Sequence, residues 1–174
     1  GLPGSGRLVI GVSPANANYV YAVVGSSSGF TGCYRSTNSG ASFSSRSTSP
    51  NILGYSSTGN DNSSQASYDL CIAVDPNNVN TIYVGGINIW KSTNGGSSWV
   101  INAHWVGTGA PDVHADQHAL EFNPLNDRLY NGNDGGIYYT QNGGTNWNDI
   151  SSDLGIAQVY KIGQSAASKN IVIN

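Results

Sequence analysis

The chain repeats one eight-residue stretch, which reads Ser36-Thr37-Asn38-Ser39-Gly40-Ala41-Ser42-Phe43, then Ser92-Thr93-Asn94-Gly95-Gly96-Ser97-Ser98-Trp99, then Thr140-Gln141-Asn142-Gly143-Gly144-Thr145-Asn146-Trp147. Each copy has a hydroxyl at its first position, Asn at its third, Gly at its fifth and an aromatic ring at its eighth. The copies start at residues 36, 92 and 140, so they are 56 and then 48 residues apart. Self-similarity at this spacing indicates repeated supersecondary units.

The residue types of this stretch predict a tight turn between two strands. An Asn side chain can hydrogen-bond the backbone two residues on, and Gly can adopt the positive φ that a hairpin turn needs. A hydroxyl can bond back across the loop, and the aromatic residue buries a large apolar surface at the start of the next strand. We therefore expect a structural role for the repeated positions, which are Ser36, Asn38, Gly40, Phe43, Ser92, Asn94, Gly96, Trp99, Thr140, Asn142, Gly144 and Trp147.

A second repeat lies upstream of each turn. Pro14-Ala15-Asn16, Pro76-Asn77-Asn78 and Pro124-Leu125-Asn126 each separate an apolar strand from a strand that contains Tyr, which is typical of a hairpin. A third strand then leads into the eight-residue turn and a fourth follows it. Four antiparallel strands in about 40–50 residues are typical of one β-propeller blade. No stretch has a helical apolar period, so we expect almost no helix.

The repeats predict an all-β fold, a β-propeller segment of about three and a half four-stranded antiparallel blades. The predicted parts are blade one at about 7–46, a loop at 47–66, blade two at about 67–102, an inter-blade loop at 103–116, blade three at about 117–151 and a partial blade four at about 159–174. Propellers remove their sheet edges by closing with about four to eight blades. We therefore expect the open edges to meet the remaining blades of the same polypeptide or another chain.

The repeated turn resembles the Asp-box of the bacterial neuraminidase repeat, Ser-x-Asp-x-Gly-x-Thr-Trp. Together with the Pro-Asn hairpins, the chain from about Leu8 to Asn174 resembles the propellers of xyloglucanase-type glycoside hydrolases, sortilin-type receptors and secreted bacterial surface proteins. The third position is Asn in all three copies, where the family usually has Asp, so we predict no metal at these turns. The resemblance implies a secreted or cell-surface protein, and these blades serve enzymes and binding modules alike.

The composition restricts the class of partner. Charged residues make up 10% of the chain, Gly accounts for 23 of 174 residues, and the net charge is −3. The seven Lys and Arg residues are scattered, which argues against a nucleic-acid partner. No apolar run is long enough to span a membrane. Solubility must come from Ser, Asn and Thr, as in many secreted β proteins.

Two further features concern order and cross-linking. Cys33 and Cys71 are predicted on adjacent blades, so they form either a disulfide or two buried thiols. The segment from Ser44 to Ala66 is longer than a compact propeller needs, and we interpret it as mobile filler that Ile52 and Tyr55 can anchor.

Titratable residues concentrate in Asp112-Val113-His114-Ala115-Asp116-Gln117-His118, which leads into the first strand of blade three. They occupy alternate positions, so in an extended chain they project on one side. The links between blades and the loops between second and third strands share one end of a propeller, the end that usually binds ligands. Asn133-Asp134-Gly135 lies in such a loop, and His104 and Trp105 lie in the link that leads there.

Three interpretations of this cluster remain open. Asp112, His114, Asp116 and His118 can hold a divalent metal such as Zn²⁺ or Ca²⁺. Asp116 or Asp134 can be a catalytic carboxylate of a general acid/base pair for glycoside cleavage. The resemblance to xyloglucanases supports Asp116, because one catalytic Asp of that family lies near the start of an inner strand. The third interpretation is a structural hydrogen-bond network between inner strands.

The sequence therefore favours a binding or adhesion module. Its ligand would be a carbohydrate or an extracellular protein, and the residues expected to contact it are Trp105, His114, Asp116, His118 and Asp134. One alternative is part of a xyloglucanase-like glycoside hydrolase with Asp116 as a catalytic carboxylate. A second alternative is a structural repeat in an extracellular assembly.

Overall fold

The computed structural model describes residues 1–152, 163–164 and 172–173. In this part of the chain all regular secondary structure is β-strand, and there is no helix that could cross a membrane. The strands are β1 (Arg7–Val12), β2 (Val20–Ser26), β3 (Gly29–Ser36), β4 (Ser44–Ser47), β5 (Cys71–Val74), β6 (Ile82–Gly85), β7 (Ile89–Ser92), β8 (Val100–Ala103), β9 (Gln117–Phe122), β10 (Leu129–Asn133), β11 (Gly136–Thr140), β12 (Asn148–Asp149), β13 (Gly163–Gln164) and β14 (Val172–Ile173).

The strands form three antiparallel four-stranded sheets in simple chain order. Blade one is β1–β4, blade two is β5–β8 and blade three is β9–β12. This arrangement confirms the predicted fold class. The strands β13 and β14 pair antiparallel in the region of the predicted fourth blade. The rest of that region, about 159–162, 165–171 and 174, lies outside the described residues.

Blade two is buried on both faces. In β5, Ile72 and Val74 pack in the cluster shared with blade one, whereas Cys71 and Ala73 pack in the cluster shared with blade three. Successive side chains of a strand point to opposite faces of its sheet. The uninterrupted apolar run of β5 therefore reflects a sheet that is stacked between two others.

The three repeated turns make the same hydrogen bonds. Each first-position hydroxyl accepts the backbone N–H of the fifth-position Gly at 2.9 Å, and each Asn Oδ1 accepts the N–H four residues on at 2.9–3.0 Å. Gly40, Gly96 and Gly144 have φ of 87°, 80° and 90°, as predicted for that position. The Asn side chain was expected to bond the backbone two residues after itself, but it bonds the N–H four residues after itself instead. The bond that spans two residues is made by the first-position hydroxyl, which accepts the N–H of the Asn.

These turns and the Pro-Asn hairpins lie at the same end of the blades. The N–H of Ser39 donates to the carbonyl of Asn18 at 3.0 Å in blade one, and Gly95 donates to Asn80 at 2.8 Å in blade two. We call this end the bottom face. Since each sheet is a simple up-and-down meander, the inter-blade links and the loops between second and third strands lie at the opposite end, the top face.

Side chains of blades one and two donate hydrogen bonds to backbone carbonyls on the bottom face of the blade that follows. The Tyr21 hydroxyl donates to the carbonyl of Val79 at 2.7 Å, and Arg46 Nε donates to the carbonyl of Gly95 at 2.8 Å. In the same way, Lys91 Nζ donates to the carbonyl of Gly143 at 3.1 Å. The repeated turns therefore join blades as well as strands.

Both cysteines are buried free thiols, so the possible disulfide is not formed. Cys33 lies against Gly96 on the blade-one side of blade two. Cys71 lies against Gly85 and Gln117 on the blade-three side. Because the sheet of blade two separates them, the sulfurs cannot meet. Burial raises the pKa of each thiol to about 12.

The segment between blades one and two belongs to the core, so its interpretation as mobile filler is wrong. The Asn51 side chain accepts the N–H of Phe30 at 2.9 Å and donates to the carbonyls of Asp61 and Ser63 at 3.0 and 2.9 Å. Ile52 is fully buried, as expected of an anchor, and so is its neighbour Leu53. Tyr55, the other expected anchor, is exposed.

Candidate binding site on the top face

Tyr68, His118 and Asp134 form an exposed cluster on the top face. His118 Nε2 lies 2.7 Å from Asp134 Oδ1, and the Tyr68 hydroxyl donates to Asp134 Oδ2 at 2.9 Å. The Tyr68 and His118 rings meet edge to face with centroids 4.8 Å apart. The hydrogen bond to the Asp134 carboxylate raises the pKa of Tyr68. The cluster offers a ring face, an imidazole and a carboxylate to a ligand.

A β-bulge places His118 in this cluster. Gly132 pairs with Ala119 and Asn133 pairs with Gln117, so His118 is the extra residue between them. Bulges turn a side chain out of the regular alternation of a strand. His118 also stands six residues before its Pro, where blades one and two have Leu8 and Leu70. A polar residue at a repeated apolar position is a sequence signal for this site.

Asp116 and Asp69 form a second, deeper pair. Asp116 has a φ of 65°, and its Oδ1 accepts a hydrogen bond from Gln65 Nε2 at 3.0 Å. Asp69 is completely buried, and neither of its oxygens has a hydrogen-bond partner among the described residues. Burial, and then the negative charge of Asp116, raise the pKa of Asp69 to about 7. Burial therefore favours the protonated form of Asp69 over the carboxylate.

The sequence interpretation missed Gln65, Tyr68 and Asp69. Tyr68 and Asp69 lie just before the first strand of blade two, the place that Asp116 occupies in blade three. Comparing the residues that precede each first strand would have singled them out. Their contacts join residues 66 positions apart in the case of Tyr68 and Asp134.

The four predicted metal ligands do not come together. His114 packs its ring against Gly135, and Asp112 forms an isolated parallel bridge with His104. Asp116 contacts Gln65 instead of the histidines. The described part of the chain contains no group of three His, Cys, Asp or Glu side chains that could hold a metal ion. The run is not one continuous strand, because Asp112 makes only an isolated bridge, Asp116 has a φ of 65°, and β9 begins at Gln117.

Trp105 and Tyr55 form an exposed aromatic pair elsewhere on the top face. Their ring centroids are 6.4 Å apart, and the side chains are 42% and 46% exposed. Asn88 holds the two backbones together, since it accepts the N–H of Trp105 at 3.0 Å and donates to the carbonyl of Tyr55 at 3.2 Å. The buried His104 also contacts that carbonyl at 3.1 Å. Asn88 and His104 therefore hold the backbone that carries the pair, and the Trp105 side chain reaches the surface.

Comparison with solved structures supports the propeller architecture. A GH74 enzyme of Niastella koreensis aligns with a TM-score of 0.58 and 23% identity over 83% of this chain and 22% of that protein. YCF48 of Cyanidioschyzon merolae aligns with a TM-score of 0.53 and 18% identity over 85% of this chain and 41% of that protein. No family model and no curated protein matches the chain. The chain thus spans about a fifth and two fifths of two β-propeller proteins, and at these identities the similarity establishes its fold.

Proposed function

We propose that the chain is a secreted or cell-surface propeller module that binds carbohydrate through its top face. The observation that carries the proposal is the cluster of Tyr68, His118 and Asp134, in which an exposed ring stands beside a carboxylate and an imidazole. Ligand sites combine aromatic surfaces with a few well-placed polar groups. Sugars suit this combination, because their C–H faces pack on rings and their hydroxyls bond to carboxylates.

The aromatic pair of Trp105 and Tyr55 supports the same ligand class. Large exposed rings have no role in the core, and these two are held in place by Asn88. A rigid backbone reduces the entropy lost on binding. The Asp-box resemblance of the turns and the low content of charged residues support the extracellular location.

Affinity electrophoresis in gels that contain soluble plant or bacterial polysaccharides tests the proposal. We expect at least one polysaccharide to retard the protein, and Trp105→Ala or His118→Ala to weaken binding by about tenfold or more. Val100→Ala is the matched control, because Val100 is 69% exposed on an outer strand away from the top face. No retardation by any polysaccharide, together with saturable binding of an extracellular protein, would replace the carbohydrate by a protein ligand.

Glycoside cleavage is the second candidate, and the pair of Asp69 and Asp116 favours it. A protonated carboxyl that is kept beside another carboxyl group is a common basis for acid/base chemistry. Asp116 and Asp134 both reach the top face, and cleavage needs two carboxylates that flank the glycosidic bond. In this mechanism Asp116 would act on the sugar, and the buried Asp69 would act through Asp116 as a positioning residue.

Release of reducing sugar from soluble β-glucans separates the two candidates. Turnover that is lost in Asp116→Ala with an unchanged melting temperature would establish the enzyme. Binding without turnover by the unaltered protein would establish the module and remove the enzyme.

A further inference from the structure

The face of blade one that points away from blade two is apolar and exposed. Along β1, Leu8, Ile10 and Val12 are 37%, 57% and 53% exposed. The alternate residues Val9 and Gly11 point the other way and pack towards blade two. Three large apolar side chains in a row on one face of an inner strand are unusual for a surface in contact with water.

The same positions are covered in the other two blades. Counted back from the Pro of each hairpin, Ile10 and Val12 correspond to Ile72 and Val74 in blade two and to Leu120 and Phe122 in blade three. Val74 is 5% exposed and packs against Gly11 of blade one. Leu120 is 3% exposed, and the Phe122 ring meets Tyr83 of blade two at 5.8 Å. In both blades this face is therefore the one that the preceding blade covers.

The hydrogen bonds between blades also distinguish blade one from blades two and three. In blades two and three, the carbonyl of the fourth turn residue accepts a side chain of the preceding blade, since Gly95 receives Arg46 and Gly143 receives Lys91. The fourth turn residue of blade one is Ser39, which has a similar positive φ of 57°. No described side chain donates to its carbonyl. Blade one thus presents both the apolar stripe and the acceptor of a joint.

We propose that this face seats a further four-stranded blade of the same repeat, carried by the same polypeptide ahead of blade one. Blades two and three each dock on the blade that precedes them in the chain, so the exposed face of blade one continues the series of the two existing joints. The incoming blade would bring a Tyr in its second strand, as Tyr21 and Tyr83 do, and a Lys or Arg before its turn hydroxyl, as Arg35 and Lys91 do. This proposal does not depend on the proposed function.

Thiol labelling of Ile10→Cys tests the proposal in two forms of the protein, the 174-residue chain and the polypeptide extended towards its amino terminus as the gene encodes it. In the short form the new thiol should react like an exposed cysteine. In the extended form it should react about 100-fold more slowly, because labelling then requires local opening of the joint. Val100→Cys is the control and should react equally in both, while the buried Cys33 and Cys71 contribute little.

Each other result overturns the proposal. A thiol that stays reactive in the extended form shows that no blade covers the face. Protection in the short form that increases with protein concentration, with a matching dimer in sedimentation, shows that a second copy is the occupant. The proposal is also wrong if the gene encodes no such blade ahead of blade one. Such a blade would have a strand that contains Tyr and a Lys or Arg directly before the Ser or Thr of its turn.

Discussion

Two glycines at the same position of the repeated turn should respond very differently to alanine. Gly40 and Gly96 have φ of 87° and 80°, so an added Cβ is strained to a similar degree in both. A Cβ on Gly40 meets nothing within 4 Å, whereas a Cβ on Gly96 lies 2.5 Å from the sulfur of Cys33. Gly96→Ala therefore adds a steric term at the joint between blades one and two.

The structure sets the expected magnitudes. A left-handed conformation costs a non-glycine residue about 1–2 kcal/mol, which is the whole expected loss for Gly40→Ala. Overpacking a core contact costs about 1–3 kcal/mol, so Gly96→Ala should lower the free energy of unfolding by this amount in addition to the cost of the left-handed conformation. For a chain of this size, a further 2 kcal/mol lowers the melting temperature by about 4–8 °C.

The free energy of unfolding is measured by urea and thermal unfolding for four variants. They are Gly40→Ala, Gly96→Ala, Cys33→Ala and the double variant Cys33→Ala/Gly96→Ala. Removing the sulfur makes room for the new methyl group, so the double variant should be more stable than the sum of the single losses by about 1–3 kcal/mol. Equal losses for Gly40→Ala and Gly96→Ala, or strictly additive losses in the double variant, would refute the packing of this turn against Cys33.

The burial of Asp69, of the two cysteines and of Leu53 should each have a measurable effect. As the pH rises from about 4 to about 7, the unfolded chain ionises Asp69 while the folded chain keeps it protonated, so stability should fall across that range and level off above pH 7. Asp69→Asn should remove this dependence and have a higher melting temperature than the unaltered protein at pH 8; an unchanged pH profile would contradict the burial of the carboxyl. Cys33 and Cys71, with pKa values raised to about 12, should resist a thiol reagent in the folded protein, and two thiols should react in denaturant without reductant; a count of none would indicate a disulfide. Leu53→Ala should lower the free energy of unfolding by about 2–5 kcal/mol, because Leu53 is fully buried between Gly25 and Gly86. Tyr55→Ala should change it by less than about 0.5 kcal/mol and should weaken polysaccharide binding. Equal melting temperatures for the two variants would show that the segment between blades one and two is not part of the core.

Much of the fold could be predicted because its signals are local. The hydroxyl, Asn and Gly of each turn bond to one another within eight residues, so their spacing alone indicates the turn. The site was harder to predict. Asp116 and His118 were among the candidate residues, but the expected extended run is not formed, because Asp116 adopts a φ of 65° and His118 lies in a bulge. The residues next to Asp116 and His118 do not indicate these features, and only comparison with Leu8 and Leu70 at the same repeat position distinguishes His118.

The sequence by itself determined the repeat, the strand order and the end of the blades at which the turns lie, because hydrogen bonds between near neighbours set those features. Only the tertiary structure decided which side chains share the top face. Stacking brings Tyr68 of the link before blade two to Asp134 of blade three, and it buries Asp69 near Asp116. The same stacking puts Cys33 and Cys71 on opposite faces of one sheet. Such contacts depend on how the sheets pack against one another. Side chains from whole blades together set that packing, so no single segment of the sequence indicates it.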